Sequence, residues 1–175
     1  MKILGLFRHA KSDWDDMAKR DFDRGLNDRG RRGAALMGDH IRKHGIKWDL
    51  IVASPAVRNR ETLVSAMPGA EVEYDQRLYL ASSDTILETI ADHAGDAGTV
   101  LVSGHNPGLQ EVLFELVTHA NENELFFEAA RKFPTASYAV FELDIDDWSQ
   151  LKPGCGKLVY FARPRDLDPE LGPEV

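Results

Sequence analysis

The chain has little cysteine, no long apolar run and a deficit of positive charge, and each shortage excludes a class of protein. Cys155 is the single cysteine among 175 residues, so an internal disulfide and a cysteine zinc framework are excluded. No stretch approaches the ~20 apolar residues of a membrane span. Lys and Arg total 21 against 29 Asp and Glu, and the resulting net charge of −8 argues against nucleic-acid or anionic-membrane partners.

The opening segment MKILGLFRHA has too short an apolar run for a secretory signal, so we expect a cytoplasmic location. Hydrophobic residues make up 43% of the chain, which is enough to bury a sizeable core. We predict one domain over residues 1–163. The acidic, proline-rich residues 164–175 are predicted to form a flexible tail.

Apolar and β-branched runs alternate with segments of helical spacing. Strands are predicted at 2–7, 48–54, 99–105, 138–144 and 157–162, and helices at 28–44, 55–66, 84–93 and 107–118. Alternating strands and helices indicate right-handed crossovers and a mostly parallel sheet covered on both faces. The predicted fold is a three-layer α/β/α sandwich whose last two strands form an antiparallel pair near an edge.

Cationic and titratable residues follow three of the predicted strands. Arg8 and His9 follow the first strand, Arg58 follows the second, and His105 ends the third. Because the carboxyl ends of parallel strands meet at one edge of a sheet, these four side chains should converge. Helices predicted to begin at Ser54-Pro55 and Asn106-Pro107 direct their positive ends to the same edge, so the sequence predicts an anion pocket.

Two arginines and two histidines suit a phosphoryl group. Arginine grips two oxygens at once, and a neutral imidazole can attack phosphorus while a second one stabilises charge on the oxygens. This chemistry needs no metal and no cofactor.

Other titratable residues have simpler interpretations. The aspartates between 13 and 23 do not match a calcium loop and are interpreted as a solvated loop. Glu61, on the same predicted helix as Arg58, is expected to orient that guanidinium. His40 and His44 lack an apparent third metal ligand.

The same residues carry a resemblance to a known family. LFRHAKSDW resembles the RHG signature of the histidine phosphatase superfamily, and LNDRGRRGA, SPAVRNRET and LVSGHNPGL resemble its later motifs in the same order. Without a cap insertion, and with RLYLAS and FPTASYAVFEL, the chain looks like the SixA-type phosphohistidine phosphatases. The resemblance implies a phosphoglycerate-mutase-like fold.

Carried over to this sequence, the resemblance implies that His9 accepts the phosphoryl group, that Arg8 and Arg58 clamp it, and that His105 is the second pocket histidine. Ser12 and Asn106 are the candidate substrate-binding residues beside them. The chain departs from the mutase-like pattern at Asp15, where asparagine is usual, and at Gln76, where those members supply a glutamate acid.

The apparent lack of a proton donor favours leaving groups of low basicity. A protonated phosphohistidine departs as neutral imidazole, whereas an alkoxide is about as basic as hydroxide, near ~15.7 on the water scale. Asp15 and Asp75 are the carboxyl groups that could replace the acid if their pKa were raised. We therefore predict a metal-independent phosphatase acting on protein phosphohistidine, with two alternatives: a small-molecule phosphomonoesterase and a non-catalytic phosphate-binding module.

Overall fold

A computed structural model describes residues 1–172, and over that range a mixed sheet of six strands forms the centre of the protein. The strand order is β3-β2-β4-β1-β5-β6. Strands β1 to β4 are parallel, β5 runs antiparallel to β1, and β6 runs antiparallel to β5. The strands are β1 (Lys2–Arg8), β2 (Leu50–Ala53), β3 (Glu73–Tyr74), β4 (Thr99–Gly104), β5 (Tyr138–Leu143) and β6 (Gly156–Ala162).

Helices cover both faces of the sheet. One face packs against α1 and α2, and the other packs against α3, α4 and α5. The helices are α1 (Asp28–His44), α2 (Val57–Ala66), α3 (Ser83–Ala94), α4 (Gly108–Leu116), α5 (Glu124–Arg131) and α6 (Pro164–Leu167).

Side chains of the central strands alternate between the two cores because successive residues of a strand point to opposite faces. Leu4 and Leu6 of β1 lie in the core under α3 to α5, whereas Phe7 lies in the core under α1 and α2. In β4, Val100 and Val102 face the first core and Leu101 faces the second. The predicted three-layer α/β/α sandwich is confirmed, as is the antiparallel pair at the edge.

Within residues 1–163, one strand and one α-helix have no counterpart in the sequence prediction. Strand β3 has two residues, which is too short for a periodic pattern. Helix α5 is amphipathic and buries Phe126 and Ala129, but its eight residues fall below the usual length of a recognisable helix.

Residues 164–172, expected to belong to a flexible tail, form α6 and a 3₁₀ turn at Pro169–Leu171. Pro164 is buried, and Arg32 of α1 forms ion pairs with Asp168 and Glu170. The last part of the predicted tail, 173–175, lies outside the described residues. Within the described range, the helices are all too short or too polar to cross a membrane.

Candidate active site

The carboxyl ends of β1, β2 and β4 form one edge of a cleft. Arg8 pairs with Gly104 and Ala53 pairs with Ser103, so the three strands end side by side and the residues that follow them lie at the same edge of the sheet. The backbone ladder continues past the strand ends, because His9 N–H donates to the Gly104 carbonyl at 3.2 Å and Ser54 N–H donates to the Ser103 carbonyl at 3.0 Å. The four predicted residues Arg8, His9, Arg58 and His105 all line this cleft, which has a volume of about 280 Å³ and opens to solvent.

One hydrogen bond fixes the orientation of the His9 ring. The side chain is 7% exposed, and its Nδ1 lies 2.7 Å from the carbonyl oxygen of Ala10. A carbonyl oxygen only accepts hydrogen bonds, so Nδ1 carries the proton and Nε2 carries the free lone pair. The Ala10 backbone is held in turn by its N–H, which donates to Thr62 Oγ1 at 2.9 Å.

His105 lies beside His9, with ring centroids 5.2 Å apart. Its Nε2 is 2.8 Å from Ser54 Oγ, and its Nδ1 is 3.3 Å from an NH2 nitrogen of Arg58. The guanidinium can only donate, so His105 Nδ1 is the acceptor and Nε2–H donates to the serine. Both imidazoles are therefore arranged as neutral rings.

The electrostatics of the cleft favour the neutral rings as well. Burial lowers the pKa of His9 from 6.5 to about 3, and the positive charges of Arg8 and Arg58 act in the same direction, against the opposing hydrogen bond to Ala10. Burial lowers the pKa of His105 to about 3 too, with Arg58 as the next cause. An imidazole in this cleft is a nucleophile rather than a cation at neutral pH.

Arg8 has unused hydrogen-bonding capacity. Its NH1 donates to the Phe133 carbonyl at 3.0 Å, while its buried Nε has no partner in the described part of the chain. Burial, followed by repulsion from Arg58, lowers the pKa of Arg8 to about 10. An uncompensated guanidinium is costly to bury, so an anion bound in the cleft would stabilise this arrangement.

Asp21 is the residue of this site that sequence reasoning missed. Its backbone carbonyl accepts from Arg58 NH1 at 2.8 Å, and its Oδ2 accepts from Arg58 NH2 at 3.0 Å. The hydroxyl of Tyr79 donates to the same Oδ2. Burial alone would raise the pKa of Asp21, but the hydrogen bonds from Tyr79 and Arg58 outweigh it and lower the pKa.

The loop between β1 and α1 was predicted to be solvated, and only part of it is. Residues 21–23 form a 3₁₀ turn that returns to the cleft, and the buried Arg24 holds the loop by donating to the carbonyls of Asp16 and Lys19. Asp21 is one of five aspartates in this loop, so the sequence contained the right candidate among them. Spacing alone could not choose among them.

The two candidate substrate-binding residues, Ser12 and Asn106, both line the cleft. Ser12 is 8% exposed. The Asn106 amide donates to the Phe133 carbonyl at 2.9 Å, the same oxygen that Arg8 contacts. Asn106 thus holds one wall of the cleft.

Two helices begin later than predicted. Ala56 rather than Ser54 is the N-cap of α2, and Pro107 rather than Asn106 is the N-cap of α4. Ser54 Oγ instead accepts from His105 Nε2–H and from the Ala56 N–H at 3.3 Å. The strand-to-helix turn therefore supports the histidine directly.

Three carboxyl groups lie elsewhere than expected. Glu61 accepts from the Leu26 N–H at 2.7 Å and makes no bond to Arg58, so it fixes the β1–α1 loop and the predicted orientation of Arg58 by Glu61 is wrong. Asp75 is paired with Arg77 and His93 outside the cleft, and Arg77 and His93 lower its pKa, which removes it as a proton donor. Asp15 is exposed and is not among the cleft residues.

Among residues 1–172, no three His, Cys, Asp or Glu side chains are grouped closely enough to hold a metal ion. His40 and His44 instead contact Tyr160.

Comparisons with known proteins agree with this geometry. Residues 4–79 match the histidine phosphatase superfamily (branch 1). The uncharacterized protein Rv1276c of Mycobacterium tuberculosis is 35% identical over 159 residues, which cover 90% of this chain and 99% of the relative.

Among solved structures, a SixA protein of Nakamurella multipartitia, named for phosphohistidine phosphatase activity, is 32% identical with a TM-score of 0.80, covering 93% of this chain and 96% of its own. A SixA protein of Agrobacterium tumefaciens is 31% identical with a TM-score of 0.74, covering 93% and 98%. The chain belongs to the histidine phosphatase superfamily, and within it this enzyme is of the SixA type.

Proposed function

We propose that this phosphatase transfers a phosphoryl group from protein phosphohistidine to His9 and then to water. The observation that carries the proposal is the free Nε2 lone pair of His9 in a cleft lined by two arginines and a second neutral histidine.

In the first step, the Nε2 lone pair of His9 attacks phosphorus and the bond from phosphorus to the substrate breaks. The electron pair of that bond leaves with the substrate's imidazole, which departs neutral when its other nitrogen is protonated. In the second step, water attacks phosphorus and both of its protons stay with the released phosphate. The electron pair of the broken bond returns to His9 Nε2.

Arg8 and Arg58 act on the equatorial oxygens, and His105, whose two ring nitrogens contact Ser54 and Arg58, holds Arg58 in place. The unpartnered Nε–H of Arg8 and the other N–H groups of the two guanidinium groups provide positive charge where negative charge develops in the transition state. Ser12, whose hydroxyl has no hydrogen bond within the described residues, is the proposed further donor to the substrate.

Asp21 supports the choice of leaving group. It is the one acidic residue among the described residues of the cleft, and its lowered pKa leaves it ionised at neutral pH. An ionised carboxylate cannot donate a proton, so the cleft is better suited to a phosphoramidate than to an alkyl phosphate. The open cleft also leaves room for a protein loop, in line with the activity for which the SixA relatives are named.

The second candidate, a small-molecule phosphomonoesterase, is favoured by the position of the same Asp21. If a bound phosphate dianion raised its pKa, Asp21 could protonate an alkoxide.

A leaving-group series separates the two candidates. We expect kcat/KM to be high for a phosphohistidine peptide and for p-nitrophenyl phosphate, and to fall steeply for alkyl phosphates of increasing basicity. Asp21→Asn should leave that slope unchanged. A flat dependence that becomes steep in Asp21→Asn would identify Asp21 as a general acid and favour the phosphomonoesterase.

The same assay tests two further expectations. EDTA should leave the rate unchanged, because nucleophile and charge stabilisation both come from side chains. If no phosphorylated compound is turned over but tungstate or phosphate still binds, the protein is a phosphate-binding module.

A further inference from the structure

A second cavity, of about 160 Å³, lies beside the active-site cleft. It is bounded by the start of α1, the segment that leads into β5, and α6. Its described lining contains no aspartate or glutamate, although the chain carries a net charge of −8. Five cationic residues line it: Lys11, Arg29, Lys132, Arg163 and Arg165.

The cavity adjoins the cleft. Lys11 and Thr135 line both spaces, and Lys11 lies two residues after His9. The backbone between them is tightly fixed, because the Ala136 N–H donates to the His9 carbonyl at 2.9 Å. A ligand whose phosphoryl group reaches His9 therefore places its neighbouring groups at the mouth of the cavity.

Part of the cavity lining is apolar, formed by Pro134, Ala136, Pro164 and Leu171. The helix wall is kept open by Gly33, where an added Cβ would meet only Pro164 Cγ, at 3.9 Å. A lining that combines apolar surface with cations matches a side chain with an alkyl stem and a terminal carboxylate, such as glutamate. A compact second phosphate group would leave that apolar surface uncovered.

Several of the cations are available to a ligand. Arg163 is paired with Asp166, and Arg29 donates to the Gly172 carbonyl. Within residues 1–172, Lys11, Lys132 and Arg165 make no ion pair. Their charge is unbalanced in the lining, and a negatively charged ligand would balance it.

We propose that this cavity binds an acidic segment of the phosphoprotein substrate, with a carboxylate side chain close to the phosphorylated residue. The inference rests on the proposed function, because the phosphoryl group anchors the segment at His9.

The test compares two phosphohistidine peptides of identical length, one flanked by glutamates and one by glutamines. We expect the wild-type enzyme to favour the glutamate peptide by about tenfold in kcat/KM, since several exposed charge pairs, each weak by itself, act together. That ratio should shrink with added salt. Lys132→Glu and Arg165→Glu should bring the ratio to one or below.

Lys47→Glu is the matched control. Lys47 is exposed and precedes β2, so it lies at the opposite end of the sheet from the cleft. The Lys47→Glu variant should keep the preference for the glutamate peptide. If Lys47→Glu, Lys132→Glu and Arg165→Glu all lose that preference equally, the effect comes from net charge and the inference is overturned.

The remaining outcomes separate this inference from the proposed function. If both peptides are hydrolysed with equal kcat/KM by the wild type, the acidic-segment site is wrong and the phosphatase assignment stands. If p-nitrophenyl phosphate is hydrolysed and neither peptide is, the proposed substrate is wrong. Preference for an alkyl bisphosphate over the monophosphate, with no preference between peptides, would make the cavity a small-anion site and overturn the proposal.

Discussion

Two clusters of the same residue types have opposite electrostatics in this protein. In the cleft, two histidines and two arginines face one carboxylate, Asp21. At the neighbouring corner, after β3, His93 and Arg77 face Glu73, Asp75 and Asp92. We call this second group the β3 corner.

The difference in charge balance sets the protonation of the histidines. Burial and surrounding cations lower the pKa of both cleft histidines to about 3. In the β3 corner, the hydrogen bond from His93 to Asp75 at 2.8 Å, with Glu73 at 2.6 Å, raises the pKa of His93. In the β3 corner, carboxylates already balance the positive charges of Arg77 and His93. In the cleft, the positive charges exceed the negative ones, and a bound phosphoryl group would supply the missing negative charge.

Removing the histidine from each cluster should give the largest contrast. His9→Ala loses the nucleophile, so kcat/KM should fall by at least about a thousandfold. His93→Ala loses an ion pair outside the cleft and should keep turnover, as measured at a temperature where both variants are folded. Near wild-type activity in His9→Ala would exclude covalent catalysis through this residue.

Replacing the arginine should give the next largest contrast. Arg58→Ala should cost about 3 to 4 kcal/mol in kcat/KM, comparable with the loss of a preorganised donor, and Arg58→Lys should recover little of it because an ammonium lacks the planar fork. Arg77→Lys, in the β3 corner, is the control and should change kcat/KM little. If Arg58→Lys retains most activity, the residue acts as a point charge only.

The two clusters should titrate in opposite directions. Ring resonances of His9 and His105 should show no protonation between pH 8 and 5 in the free enzyme, whereas the pKa of His93 should lie above 6.5. NMR titration, assigned with His93→Gln and His105→Gln, measures both. Protonation of His9 near pH 6.5 would show that the cleft does not favour the neutral ring.

The stability consequences have opposite signs. Because the folded pKa of the cleft histidines lies below the unfolded value of 6.5, the unfolded state binds more protons below that pH, and these groups reduce the free energy of unfolding as pH falls from 6.5 towards 3. His93 has a raised pKa, so its contribution is full below pH 6.5 and is lost as pH rises through the folded pKa. The stability difference between wild type and His93→Gln, from urea unfolding, should therefore shrink at high pH.

The smallest expected effect concerns Asp21, the one carboxylate among the described residues of the cleft. Asp21→Asn removes a negative charge from Arg58, so inhibition by phosphate or tungstate should strengthen several-fold. Asp92 contacts Arg77 in the β3 corner, so the control variant Asp92→Asn should leave inhibition by phosphate or tungstate unchanged. Weaker inhibition in Asp21→Asn would show that Asp21 mainly positions Arg58, rather than competing with the bound anion for its guanidinium.

Five of the six strands and the four central residues of the cleft could be predicted from the sequence, because each of them depends on a local pattern. Arg8, His9, Arg58 and His105 follow strands, and the rule that parallel carboxyl ends meet brings them together without any knowledge of distances. The helix predicted at 28–44 is observed over the same residues, and Asn27 caps it by accepting from the Gly30 N–H.

Features that depend on long loops could not be predicted in the same way. Asp21 reaches Arg58 through the path of the β1–α1 loop, and that path depends on Arg24 and Glu61, whose contacts have no periodicity. The close passage of the loop over α1 also requires Gly30, where a Cβ would lie 2.1 Å from the Lys11 carbonyl oxygen. The sequence therefore shows that several loop aspartates follow β1, and the structure shows that Asp21 is the one that contacts Arg58.

The central claim is that neutral His9 carries the phosphoryl group, and trapping the intermediate tests it most directly. Wild-type enzyme turning over a phosphohistidine peptide is quenched in alkali within milliseconds, and the phosphorylated atom is located by mass spectrometry and NMR. We expect base-stable, acid-labile phosphate on Nε2 of His9, the nitrogen left free by the hydrogen bond from Nδ1 to Ala10. Phosphate on His105 or on another residue, or turnover with no label at any time point, would contradict the account.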